Sequence, residues 1–289
     1  MTEPLDRAIV VTGASTGIGR AAVARAVAGG AHVFASVRKR PDLEGLKQEF
    51  GEAVTPLLFD VTEEVAVRAG ASQVAAALGK RRLYGLVNNA GVATPGPLLH
   101  LSSEELAHQL DINLIGVHRV TQAFAPLLGA DKQRTGQPGR IVMISSGSGE
   151  IGSPFVGAYA ASKFALEGYS QSLRRELMLY GIDVIVVGPG PIATPIWEKA
   201  AREDVGRYDD TDYAPYLEGV ADYVVRQGRE GLPASDVAEL IWRALTIEAP
   251  KTRYAILRDP FKNRTLPRLL SPRALDKIIA RRLGFPTRP

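Results

Sequence analysis

Short β-branched runs alternate with longer amphipathic stretches through the first 190 residues, and few folds accept that rhythm. The runs are Ala8 to Thr12, His32 to Ser36, Val54 to Phe59, Gly85 to Asn88, Arg140 to Ser145 and Asp183 to Val187. Each is too short and too apolar for a surface helix. Helix-like stretches begin near Gly17, Pro41, Thr62, Ser102 and Ala158, several of them at the Ser, Thr or Pro that helix starts prefer. Parallel strands need such crossovers, and right-handed crossovers wind a sheet covered by helices on both faces. The expectation is a single α/β domain: a doubly wound parallel sheet in three α/β/α layers. A chain of 289 residues that is 45% hydrophobic is long enough to bury one such core.

The strand AIVV runs straight into TGASTGIG, which places Gly13, Gly17 and Gly19 at the turn into the first helix. A helix N-terminus offers unpaired N–H groups and partial positive charge, and missing side chains let a pyrophosphate approach the backbone. The sheet is therefore read as Rossmann-like, with a dinucleotide at its first turn. A glycine-rich turn without a ligand is the alternative, because the spacing G-x-x-x-G-x-G departs from the common dinucleotide template. The second strand ends Ser36, Val37, Arg38, Lys39 with no carboxylate to hold the ribose hydroxyls. Arg38 can pair with a 2′-phosphate, so NADP(H) is favoured and NAD(H) kept as possible. Solvated loop cations would explain the same two residues.

Tyr159 and Lys163, in YAASK, lie about one helical turn apart and share a face. A phenol with a pKa near 10 gains proton-transfer capacity when a nearby cation favours its ionised form. Such a pair alone is as readily a plain helix face. It comes, however, with TGASTGIG, with NNAG at Asn88 to Gly91, with Asn113 in DINLIG, with Ser145 and Ser146 after IVMI, and with GPGPIAT at Gly188 to Thr194. In these motifs and their order the chain resembles the short-chain dehydrogenase/reductase family.

The resemblance implies Tyr159 as general acid/base, Lys163 as ribose ligand and pKa modulator, Ser146 as substrate hydrogen-bond partner, and Asn113 as support for a water chain. A helix-cap or turn serine at 146 and a helix-kink residue at 113 are the plainer alternatives. The resemblance further implies cofactor contacts by Gly13, Ser15, Gly17, Ile18, Gly19, Asp60, Val61, Asn89, Ala90 and Gly91, and by Pro189, Gly190, Ile192 and Thr194 near the nicotinamide. Two residues depart from the family pattern: Gly188 stands where an asparagine is expected, and Thr16 where many NADP-preferring members carry a base. The expected reaction is hydride exchange between NADP(H) and a ketone or secondary alcohol, or an aldehyde and its alcohol. An NAD(H)-dependent alcohol dehydrogenase of the same family and a catalytically silent cofactor-binding regulator are the alternatives.

Substrate identity is expected to rest on the excursion from Pro191 to about Gly231, with Trp197, Tyr208, Tyr213, Tyr216 and Tyr223, and on Pro154, Phe155 and Val156. Aromatic lids suit a hydrophobic ligand of lipid, steroid or retinoid-like character, although ordinary packing accounts for the same rings. A helix is expected over Ala234 to Ile247, then a last strand over Tyr254 to Leu257.

The domain division is 1–259 for the catalytic fold and 260–289 for a basic extension. The net charge of +4 gathers in that tail and suggests no nucleic-acid motif. Leu275, Ile278, Ile279 and Leu283 fall at helical spacing there, and docking on the enzyme body is favoured over covering the substrate mouth or lying on an anionic membrane surface. The chain has no cysteine and no metal-ligand spacing among its four histidines, so no metal site is expected. A cytoplasmic homodimer or homotetramer is the expected setting.

Overall fold

A computed structural model describes residues 5–196, 206–217, 219, 226, 228 and 230–286. The strands are β1 (Ala8–Val11), β2 (His32–Val37), β3 (Val54–Leu58), β4 (Gly85–Asn88), β5 (Arg140–Ile144), β6 (Asp183–Pro189), β7 (Ile192–Ala193), β8 (Leu232–Pro233) and β9 (Arg253–Ile256). Seven of them form one parallel sheet in the order β3-β2-β1-β4-β5-β6-β9. The order reverses between β1 and β4, which opens a crevice at the carboxyl ends of those strands, where ligands of wound sheets bind. With β1 residues alternating between faces, Ala8 and Val10 join one core while Ile9 and Val11 join the other.

The helices α1 (Gly17–Ala28), α2 (Arg40–Phe50) and α3 (Glu64–Leu78) cross between the first four strands. On one face α1 packs against the helix Ala234–Thr246 so closely that a Cβ on Gly29 would lie 2.3 Å from the Trp242 ring. On the other face Phe34, Leu57, Leu86, Phe124, Leu128 and Leu166 build a core under α3, α5 (Gly116–Ala125) and α6 (Gly157–Leu177). α4 (Ser103–Leu110) opens on a capping box, Ser102 accepting from the Glu105 N–H and Glu105 accepting from the Ser102 N–H.

Helix starts differ from the sequence expectation by a residue or two: α2 begins at Arg40 and α3 at Glu64. One feature was not foreseen, and a second only as the alternative of a helix kink at Asn113. The expected excursion is framed by the parallel pair β7 and β8, Ile192 opposite Leu232 and Ala193 opposite Pro233. A π-turn, Asp111–Ile115, joins α4 to α5 with Asn113 inside it. Trp197 and Tyr223 lie outside the described residues.

The tail folds into a π-turn over Phe261–Thr265, a short helix Leu266–Leu269 and a helix Pro272–Leu283 capped by Ser271. It lies on the body. Arg264 donates to both carboxylate oxygens of Glu150, and Leu283 and Phe285 pack against Phe155, Tyr208 and Leu217. Among the described residues, no helix is long and apolar enough to cross a membrane.

Candidate active site

The turn after β1 holds its shape through residues that need no large side chain. Gly13 and Gly17 take φ of +65° and +56°, a left-handed region that L side chains enter at a cost of about 1–2 kcal/mol. Thr12 ties this turn to the end of β4: its hydroxyl lies 3.3 Å from the Val87 carbonyl and accepts from the N–H groups of Asn89 and Ala90 at 3.0 Å each. The Asn89 side chain donates back to the carbonyls of Thr12 and Gly13 at 2.9 and 3.2 Å. Thr12 escaped the sequence reading, although a polar residue between a buried strand and a glycine turn was a signal.

The crevice is an open cleft of about 430 Å³. Gly13, Ser15, Gly17, Ile18, Arg38, Asp60, Val61, Asn89, Ala90 and Gly91 line it, and so do Ser146, Tyr159, Lys163, Pro189, Gly190, Ile192 and Thr194. Two expected residues do not. A Cβ at Gly19 would fall 2.2 Å from the Gly13 carbonyl oxygen and 2.5 Å from Asn89 Nδ2, so this glycine packs the helix onto the turn instead of facing the cleft. Asn113 is fully buried behind the wall. Its amide donates to the Val92 carbonyl and Ser162 Oγ, both at 3.0 Å, and its oxygen accepts from the Val92 N–H at 2.9 Å. Ser162 in turn donates to the Tyr159 carbonyl at 2.7 Å, so Asn113 braces the first turn of α6 and the loop at Val92. Gln109, also unforeseen, grips that loop through the Val92 carbonyl and the Thr94 N–H.

The cleft's chemistry fits a dinucleotide. Thr16, at the N-cap of α1, makes no side-chain capping bond, and the first turn carries no acidic residue, so its N–H groups are open to an anion. Arg38 stands at the end of β2 with its guanidinium 3.6 Å from Asp60, more than half exposed. Asp60 also accepts from the N–H and hydroxyl of Thr62. Those bonds and Arg38 hold its carboxyl below the usual range, even though burial, the largest single influence, pushes the other way.

Tyr159 and Lys163 converge on the inner end of the cleft. The Lys163 ammonium lies 5.7 Å from the centre of the Tyr159 ring and donates to the Ile144 carbonyl at 2.8 Å. Burial raises the phenol's pKa, opposed by a hydrogen bond with Ser146. Burial also pulls the lysine down to about 8, opposed by Glu167. Ser146 caps the short turn Gly147–Gly149 by accepting from the Ser148 N–H at 3.1 Å. Ser145, the neighbour, is turned inward, where a Cβ on Gly149 would meet its oxygen at 2.8 Å.

The aromatics expected around the substrate largely meet one another. Phe155, in the left-handed region at φ +64°, stacks edge-on against Tyr213 and Phe285 at 5.8 and 5.9 Å. Phe285 then meets Tyr216 at 4.8 Å. The role of the tail's phenylalanine was not visible in the sequence, because its partners lie more than 60 positions away.

Comparison with known proteins agrees with this geometry. The family model described as short chain dehydrogenase matches residues 7–205. An NADPH-dependent 3-dehydrocapnine reductase of Ornithobacterium rhinotracheale is 39% identical over 272 residues, covering 94% of this chain and 95% of the relative. A 3-amino-tetrahydro-pyrrolizinone reductase of Xenorhabdus hominickii is 34% identical, covering 88% and 87%. The crystal structure of a short-chain dehydrogenase from Streptomyces avermitilis superposes with a TM-score of 0.74 at 26% identity, over 97% of this chain and 96% of that one. The chain therefore belongs to the short-chain dehydrogenase family, nicotinamide-dependent oxidoreductases that act between alcohols and carbonyls.

Proposed function

We propose that the protein reduces a ketone or aldehyde of apolar character, using NADPH, with Tyr159 as the proton donor. The observation that carries this reading is the burial of the Tyr159 phenol beside Lys163 and Ser146. Burial favours the neutral phenol, so at neutral pH Tyr159 holds the proton a carbonyl oxygen must receive. Ser146 orients that oxygen, and the two hydroxyls together stabilise the charge that gathers on it. Lys163, still charged below about pH 8, lowers the cost of leaving Tyr159 ionised after the transfer.

The cofactor, when bound, supplies the hydride to the carbonyl carbon. Gly13, Ser15, Gly17 and Ile18 would hold its pyrophosphate, Asp60 and Val61 its adenine, and Asn89 to Gly91 its middle. Pro189, Gly190, Ile192 and Thr194 would cover the reactive ring, and Lys163 would bind the adjoining ribose. Arg38 would exchange Asp60 for a 2′-phosphate, a stronger fork-shaped partner. Two relatives named as reductases, one of them NADPH-dependent, support the direction and the cofactor. Apolar residues that line the cleft, Val92, Ala93, Ile144 and Ile196 among them, support an apolar substrate. The same reading takes 1–259 as the catalytic unit with 260–289 as its extension, in a cytoplasmic homo-oligomer.

A panel of apolar and charged ketones and aldehydes, scored by NADPH and NADH oxidation, tests the reading. Turnover of apolar carbonyls with a preference for NADPH is expected. Turnover restricted to small charged carbonyls, or no turnover at all, would overturn it.

A further inference from the structure

Lys163 shares its helix face with a second charge. Glu167 follows it by four residues on α6, which places the two side chains on one side of the helix, and it is only 9% exposed. Arg253, from β9 at the far edge of the sheet, clasps that carboxylate: Nε lies 3.2 Å from each oxygen and Nη2 3.1 Å from Oε1. The same Nη2 lies 3.4 Å from Glu150. Glu150 then takes Arg264 at 2.7 and 3.0 Å and Arg268 at 3.2 Å, both from the extension.

The Arg253 guanidinium fills the space beside Gly188. A Cβ there would stand 2.4 Å from Arg253 Nη2 and 3.0 Å from Cζ, so a side chain at 188 would displace the guanidinium. Gly149 closes the other side, its missing Cβ falling 3.1 Å from the Lys163 carbonyl oxygen and 3.2 Å from Glu167 Cγ. The turn after Ser146 thus packs closely on the lysine's own backbone and on the stem of Glu167.

We propose that Glu167, clasped by Arg253, is a positioning residue that acts through Lys163 by keeping its ammonium charged beside Tyr159. The proposal deepens the reductase reading and rests on it. Lys163 shares α6 with Tyr159 and Glu167, and at the end of β5 it donates to the Ile144 carbonyl, next in sequence to Ser145 and Ser146. Behind Glu167 stand Arg253 from β9, Glu150 from the turn, and Arg264 and Arg268 from the extension. Two carboxylates thus meet three guanidiniums, and without the Glu167 charge the excess of positive charge near Lys163 would double. Burial already draws the lysine toward its neutral form, and Glu167 opposes it.

The test is an NMR titration of the lysine side chains in the cofactor-free full chain, with Lys163 assigned through Lys163→Met. Glu167→Gln is expected to lower the Lys163 midpoint from near 8 by about one pH unit. Arg253→Gln removes a positive charge behind the carboxylate, and the midpoint is expected to rise. Opposite shifts separate an electrostatic role from a merely structural one, because loosening the packing would admit water and raise both. The pH at which kcat for carbonyl reduction declines should move with each midpoint. An unmoved midpoint in Glu167→Gln, or a rise in both variants, would overturn the proposal. Should Glu167→Gln alone fail to fold, the double variant Glu167→Gln/Arg253→Gln, which leaves no unpaired guanidinium beside the missing carboxylate, takes its place: a midpoint lower than in Arg253→Gln is expected, and an equal or higher one is the contrary result. The titration uses neither substrate nor cofactor, so a failed carbonyl panel and a failed titration point to different errors.

Discussion

Tyr159 and Lys163 sit one helical turn apart, and burial moves each toward its uncharged form: the phenol up, the ammonium down to about 8. Their windows therefore overlap only partly. Below about pH 8 the phenol bears its proton and the lysine its charge; as pH rises through 8 the lysine discharges first, and reduction should slow. These two residues were legible in the sequence because their interaction is local, a spacing of four on one helix. Arg38 was legible by position at a strand end, but its partner Asp60 was not, since a pairing across neighbouring strand ends leaves no periodic trace. The same holds for Glu167 and Arg253, 86 positions apart. Arg38→Ala removes a charge-assisted contact worth about 1.5–3 kcal/mol, so KM for NADPH should rise about 10- to 100-fold. KM for NADH should barely change. Steady-state kinetics with both cofactors checks this, and an equal rise for the two would remove the 2′-phosphate role.

Elements with a strong repeat were read nearly to the residue. β4 matches its expected bounds, and the other strands differ at an end by one or two positions, because β-branched runs flanked by glycine or polar residues permit little else. The π-turn at Asp111–Ile115 was legible only as a possible kink at Asn113: its sequence DINLI continues a helical pattern, and the bonds of Asn113 to Val92 and Ser162 are tertiary. The β7–β8 pair was not legible, its partners being 40 positions apart and only two residues long. At the β1–α1 turn, the approach of backbone to backbone makes its own prediction. Gly19→Ala puts a methyl 2.2 Å from the Gly13 carbonyl oxygen, and overpacking there should cost about 1–3 kcal/mol and weaken dinucleotide binding. Gly45→Ala in α2, where a Cβ meets nothing within 4 Å, should gain about 0.5–1 kcal/mol. Thermal melts and cofactor titrations of both variants check the contrast; equal Tm shifts would contradict it.

At the scale of the whole molecule, one parallel sheet divides two cores and gathers its polar residues at one rim. Most residues of the family motifs line the cleft at that rim, which is why the site was more legible than the surroundings that tune it. The extension joins this arrangement from outside: Arg264 and Arg268 hold Glu150 just past Ser146, and Phe285 holds Phe155 just ahead of Tyr159. Its helical spacing was visible in sequence, but its anchor points belong to loops distant along the chain. Everything in the functional account converges on a phenol that hands its proton to a carbonyl. The most direct measurement is single-turnover carbonyl reduction by Tyr159→Phe beside the parent protein, with NADPH affinity measured by fluorescence in the same samples. The account predicts unchanged cofactor affinity and a rate lowered by about 100-fold or more. A variant that binds NADPH normally and reduces the carbonyl at the parent rate would contradict it.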